Sequence, residues 1–195
     1  MTLVRWYTGT FENEKLVIMI TEINNQTKLS EHFTLRELTK TKTGISNVPN
    51  EEQVENLKRV CGWLEQLRLR YNQMRNEKGE MRNGNEEMKN EVGEYPIIIN
   101  SGFRSPEVNK AVGGATLSNH LTGCAVDIRC IGIEQALRYA AILLDISDLN
   151  KEDFDELLIE QKRNVIWIHF AVRPSGNRRR ISLELRSLLQ RPKAD

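Results

Sequence analysis

The sequence predicts an α+β fold, with a small, largely antiparallel sheet flanked by helices. Three observations carry this. Apolar residues recur at helical spacing over residues 51–73 and again over 133–145. Two apolar runs, residues 154–160 and 165–170, stand on either side of a short polar turn and read as a hairpin. Helices and hairpin-like strands are mixed along the chain, with no internal repeat.

Residues 1–28 read as an N-terminal extension. There Trp6, Tyr7, Phe11 and the run Leu16-Val17-Ile18-Met19-Ile20 fit one or two strands, or a lead-in segment. Residues 29–195 read as one domain with a polar insertion. Thr34 and Glu37 have the spacing of a capping box, and Phe33, Leu35 and Leu38 supply apolar contacts, so a short helix is expected within 31–40. A loop follows over 41–50. Asn50 is a good N-cap with Gln53 three positions on. Val54, Leu57, Cys61, Leu64 and Tyr71 then recur at helical spacing, widened by Val60, Trp63 and Leu67. Residues 74–95 break that pattern with interspersed charges and with Gly79, Gly84 and Gly93, and read as a solvated insertion.

Pro96-Ile97-Ile98-Ile99 reads as a buried strand. Ser105 caps and Pro106 opens a helix that Gly113-Gly114 ends. Residues 125–130 form a strand. Residues 133–145 form a helix with Ile133, Leu137, Ala140, Ala141 and Leu144 on one side. The hairpin follows, and a last helix is expected near 183–189.

Lys and Arg total 28 against 27 Asp and Glu, a net charge of +1. That balance lacks the basic bias of a nucleic-acid binder and the acidic excess of a solvating tail. No apolar run has the length of a membrane span, and Glu12 and Glu14 offset Lys15 where a signal peptide needs a positive flank. Cys61, Cys124 and Cys130 are odd in number and contain no CxxC pair. They read as reduced, mostly buried thiols.

Two of the three histidines sit in a pattern. His32 has no partner motif and reads as a surface or half-buried residue. The pattern is Ser118-x-His120-x-x-Gly123-x-Ala125-x-Asp127, followed by Trp167-x-His169. Alternation along 125–130 turns Val126, Ile128 and Cys130 to the core and Asp127 away from it, over the small Ala125. His169 shares a face with Val165 and Trp167. Two strands of one sheet can therefore aim Asp127 and His169 into one cleft, with His120 on the entering loop. Two imidazoles and one carboxylate with an open fourth position make the donor set of a catalytic zinc site. On spacing alone, a chance grouping is the competing reading.

These motifs resemble the zinc D-alanyl-D-alanine carboxypeptidase family. It includes phage endolysins that cut L-alanyl-D-glutamate bonds, and it shares its fold with the Hedgehog signalling domain. Three further segments resemble its phage and bacterial branch: Phe33-Thr34-Leu35-x-Glu37-Leu38, Ser101-Gly102-Phe103-Arg104-Ser105-Pro106-x-Val108-Asn109 and Val112-Gly113-Gly114. The resemblance covers about residues 31–182. It implies a Hedgehog/DD-peptidase-like fold, zinc held by His120, Asp127 and His169, and an arginine, Arg104, beside the polarised carbonyl or a substrate carboxylate. It gives Ser118 a hydrogen bond to substrate or the task of orienting the His120 loop.

Some members place an acid three residues before the last histidine; here that position is Ile166. In the branch that this chain resembles the acid ends the preceding strand, which points to Glu160 as general base with Glu156 as runner-up. The implied function is zinc-dependent hydrolysis of peptidoglycan stem peptides, as a D-Ala-D-Ala carboxypeptidase or an L-Ala-D-Glu-type endopeptidase, by a monomeric, phage-type endolysin. Such an enzyme is made in the host cytoplasm without a signal peptide, released to the wall by a holin, and binds neither nucleic acid nor the membrane interior. The competing class is a zinc-stabilised wall-binding or virion structural module without turnover.

Overall fold

The computed structural model describes residues 27–77 and 94–185. The N-terminal extension up to residue 26, and residues 78–93 of the polar insertion, lie outside them. Helix α1 (Leu35–Thr39) starts where the capping box places it, with Thr34 Oγ1 accepting from Glu37 N at 3.3 Å. Helix α2 (Glu51–Glu77) is capped by both halves of the Asn50/Gln53 pair. Gln53 N donates to Asn50 Oδ1 at 2.9 Å, and Asn50 N donates to Gln53 Oε1 at 2.8 Å. The helix runs four residues beyond its expected end, into the start of the insertion. The far side of the insertion is tied back to it, with Asn72 bonded to both the N–H and the carbonyl of Tyr95.

The remaining elements are β1 (Ile99–Ser101), α3 (Pro106–Ala111), a 3-10 turn (Asn119–Thr122), β2 (Ala125–Cys130), α4 (Ile133–Asn150), β3 (Glu156–Lys162), β4 (Val165–Ala171) and β5 (Arg180–Leu185). They build one five-stranded sheet in the order β1-β2-β4-β3-β5. The fold is α+β, as expected, but the sheet is mixed. Three pairings are antiparallel and the last, β3 with β5, is parallel.

The parallel strand occupies the start of the stretch where a final helix was expected. Residues 180–184 alternate Arg, Ile, Ser, Leu, Glu, a period of two rather than 3.6. Arg179 N and Arg180 N bond to the carbonyls of Phe154 and Asp155, and this sets the register against β3. Residues 186–189 lie outside the described part of the chain.

Two other expectations shift. The strand after Pro96 is confined to Ile99–Ser101. Pro96 has no N–H for a ladder, although Ile98 O still accepts from Arg129 N at 2.8 Å. Helix α4 continues to Asn150 and buries a stripe rotated from the one expected, of which only Ala140 and Leu144 still pack against the core. Ala136, Tyr139, Leu143 and Ile146 face the core, whereas Ile133 and Leu137 are 40% and 53% exposed. Tyr139 decides the rotation, because it packs edge-on against Tyr71 of α2 at 4.8 Å between ring centroids.

One face of the sheet carries the core. Val126, Ile128, Leu157, Ile159, Ile168 and Phe170 pack there against Leu57, Val60, Leu64 and Leu67 of α2 and against α4. Trp63 closes this layer against Phe154 and Phe170. Cys61, Cys124 and Cys130 are free and buried. By the strand alternation, the opposite face receives Asp127, Trp167, His169, Glu156, Leu158 and Glu160. Among the described residues no helix is long and apolar enough to cross a membrane.

Candidate metal centre

Asp127 and His169 lie directly opposite each other in the β2–β4 ladder, so 42 residues of separation collapse to one cross-strand pair. His120 reaches them from the 3-10 turn. Ser118 Oγ caps that turn, accepting from His120 N at 3.3 Å, and Gly123 ends it at φ 72°. A side chain at Gly123 would also meet Gln53 O at 2.5 Å, so both the angle and the space require glycine there. Gln53 and Asn56 of α2 donate to the carbonyls of Leu121 and Thr122 and hold the turn against the helix.

His120 Nδ1 donates to Gly102 O at 2.6 Å, which leaves Nε2 as the inward nitrogen. His120 Nε2 is 3.2 Å and His169 Nδ1 is 3.1 Å from Asp127 Oδ1. One donor atom from each of the three residues lies within 4.8 Å of the others. A tetrahedral zinc with bonds near 2.05 Å needs donor separations of about 3.3 Å. The His/Asp/His set and its spacing fit such an ion.

The surroundings of each donor are also built. Burial alone would raise the Asp127 carboxyl, but His120 and His169 hold it well below the usual carboxylate range. Arg104 NH2 donates to Asp127 Oδ2 at 2.5 Å, and its Nε donates to Ser101 Oγ at 2.8 Å. The outer nitrogen of His169, Nε2, is 3.3 Å from Glu156 Oε2. Burial favours the neutral ring, yet Asp127 and Glu156 raise His169 to about 9. In return His169, with Arg180 and Arg178, holds Glu156 down at about 2 against the effect of its burial.

Glu160 is on the same face, one strand over. Its Oε2 accepts from Trp167 Nε1 at 2.7 Å. Burial raises its carboxyl above the ordinary value, and the Trp167 N–H pulls the other way. Ile166 packs with the core on the other face, so an acid at that position would point into the helices.

Six residues singled out from the sequence thus share one end of the sheet: Arg104, Ser118, His120, Asp127, His169 and Glu156. Ser118 is seen as the cap of the His120 turn. Glu160 sits beside the group against Trp167. His32 is elsewhere, at the surface, 2.7 Å from Glu65. Sequence reasoning missed Gly102 as the carbonyl that orients His120, and it missed Asn119 and Asp155, whose side chains bond around Glu156. The signal for the first was its glycine inside the Ser101–Asn109 motif, which points to backbone geometry there but not to the His120 contact.

A family model described as Peptidase M15 matches residues 31–169, more than half of the chain. The match ends on His169. A search of curated proteins returns no match.

Proposed function

The chain belongs to the Peptidase M15 family, whose members are zinc-dependent metallopeptidases, and from that premise we propose that it hydrolyses the stem peptides of peptidoglycan. The bond is either a terminal D-alanyl-D-alanine or an internal bond of the L-alanyl-D-glutamate type, and the role is that of a phage-type endolysin. The convergence of His120, Asp127 and His169 carries the chemistry. The resemblance of the Phe33–Leu38, Ser101–Asn109 and Ser118–Asp127 segments to wall-lytic relatives supports the substrate class.

His120, Asp127 and His169 would hold zinc, which when bound supplies Lewis acidity and an acidified water. Every other role belongs to this chain's own groups. Gly102 O fixes the His120 ring, and Glu156 fixes the His169 ring. Arg104 is pinned by Ser101 and Asp127 at the edge of the group. There its guanidinium can meet the negative charge that develops on the scissile carbonyl, or a substrate carboxylate. Glu160 takes up a proton as the nucleophile attacks and returns it to the leaving amine, a task that suits a carboxyl raised by burial. Ser118 acts through the His120 turn.

The test is mass spectrometry of purified peptidoglycan after digestion, with and without a zinc chelator. Chelator-sensitive release of D-alanine means carboxypeptidase. Chelator-sensitive new amino termini inside the stem mean endopeptidase. A zinc-loaded protein that yields neither from several wall types overturns the proposal in favour of a binding module.

A further inference from the structure

Two side chains that the motifs above leave unspecified link the two histidines through one hydrogen-bonded network. Asn119 precedes His120 in the 3-10 turn. Its Nδ2 donates to Asp155 Oδ2 at 2.7 Å and to Glu156 Oε2 at 3.0 Å, and its Oδ1 accepts from Arg173 Nε at 3.0 Å. Both amide hydrogens and one lone pair of the amide oxygen are therefore in use, and the residue is buried. Through Glu156 Oε2, Asn119 is one hydrogen bond away from the carboxylate that meets His169 Nε2. Its backbone is covalently next to His120. Its carbonyl accepts from Cys124 N at 2.9 Å, closing the turn.

Asp155 holds the other end. It is fully buried. Arg178 grips it with two bonds, Nε to Oδ1 at 2.8 Å and NH2 to Oδ2 at 2.7 Å, and Arg173 Nε lies 3.0 Å from Oδ2. A buried carboxylate costs several kcal/mol of desolvation that its partners must offset. What the charge does is lock three chain segments together: the His120 turn, the loop after β4 and the entry to β5. Glu156 completes the frame, its Oε1 receiving Arg178 at 2.9 Å and Arg180 at 3.0 Å.

We infer that Asn119 and Asp155 are positioning residues of the metal centre, setting the separation of His120 from His169 by way of Glu156. The inference rests on the metal reading of the site. Partners of this kind, one step removed from the ligands, change metal affinity by roughly 10- to 100-fold when removed.

The experiment measures zinc affinity by competition with a fluorescent chelator, independently of turnover. The proteins are the full chain and its Asn119→Ala, Glu156→Gln, Asn119→Ala/Glu156→Gln and Asp155→Asn variants. Arg179→Gln is the control. It loses neighbouring bonds to Ser147, Asp148 and Asp153 but has no contact with Glu156. Expected are 10- to 100-fold weaker zinc binding in each single variant, unchanged binding in the control, and a double variant no weaker than the worse single one. Unchanged affinity in Asn119→Ala overturns the inference, and so does a double variant whose losses multiply. Asn119→Ser replaces Asn119→Ala if the latter does not fold, and the same outcomes apply. If the unaltered protein binds no zinc, the metal reading itself fails; if it binds and the variants bind equally, only the positioning role fails.

Discussion

Replacing Gly102 by Ala tests whether backbone geometry orients the metal centre. A methyl at this position would sit 2.3 Å from Leu38 O and 3.0 Å from two further backbone atoms of Leu38. A carbon and a carbonyl oxygen settle near roughly 3.3 Å, so the end of β1 and the end of α1 must separate by about 1 Å. Leu38 is fully buried, and its carbonyl already accepts from Phe103 N at 2.8 Å, so the strain cannot be shed into solvent. Overpacking of this kind costs roughly 1–3 kcal/mol, and a lost hydrogen bond adds about 1 kcal/mol. For a chain of this length, that total lowers Tm by roughly 5–15 °C. The displaced carbonyl is also the acceptor of His120 Nδ1. Zinc affinity should therefore fall by roughly 10- to 100-fold. Thermal unfolding of the zinc-free protein and chelator competition read the two effects separately. A Gly102→Ala protein that melts lower but binds zinc as tightly as the parent refutes the orienting role. One that is unchanged in both refutes the steric reasoning as well.

Three other expectations follow from the same geometry. Glu160→Gln should retain zinc, because Glu160 bonds Trp167 and not a donor residue, while kcat drops by roughly 10²–10⁴-fold; metal analysis beside steady-state kinetics on a stem peptide checks both. Trp167→Phe removes the N–H that stabilises the ionised form of Glu160. The Glu160 carboxyl, already raised by burial, should then rise further, and the acid limb of the pH profile of kcat/KM should move to higher pH; a limb that stays put removes Glu160 from the proton-transfer step. Burial alone would raise Asp155, but Arg178, Asn119 and Arg173 hold it below its ordinary value in the folded protein. Its contribution to stability is therefore complete above the unfolded value near 3.9 and is lost as the pH falls through the lower, folded one. Urea unfolding of Asp155→Asn should show a shallower loss of stability below about pH 4 than the parent does.

The donor set was legible in part from local signals, with the family resemblance of its motifs settling between that grouping and a chance one. Alternation about Asp127 separates Val126 and Ile128 from it, and the same alternation puts His169 with Trp167, so facing strands suffice to bring the donors together. The two capping pairs, Thr34/Glu37 and Asn50/Gln53, are likewise read within four residues. What escaped was set at long range. The rotation of α4 depends on Tyr139 meeting Tyr71, 68 positions away in the chain, and both sides of that helix carry enough apolar residues to mislead a periodicity count. The parallel strand β5 depends on Arg178 and Arg179 docking at Asp155 and Phe154; its own six residues are too few to separate strand from helix by pattern. Gly102, Asn119 and Asp155 matter through what they touch, and no spacing announces that.

In the proposed mechanism, the two carboxylates that competed for the role of general base would be given different work by one strand face. Glu156 and Glu160 are four residues apart on β3 and point the same way. Glu156 has His169 on one oxygen and Arg178 and Arg180 on the other, and is held at about 2. Such a group stays ionised at neutral pH, and accepting a proton would cost it most of its bonds. It can orient a ring but makes a poor shuttle. Glu160 has one donor, the Trp167 N–H, and is raised by burial. It can gain a proton while keeping that contact on the other oxygen. Where neighbours drive the titration of two nearby acids in opposite directions, the lowered one holds charge and the raised one moves protons. The split follows from position. Glu156 stands at the end of the sheet where β5 begins and delivers its arginines, while Glu160 stands opposite Trp167, beyond their reach.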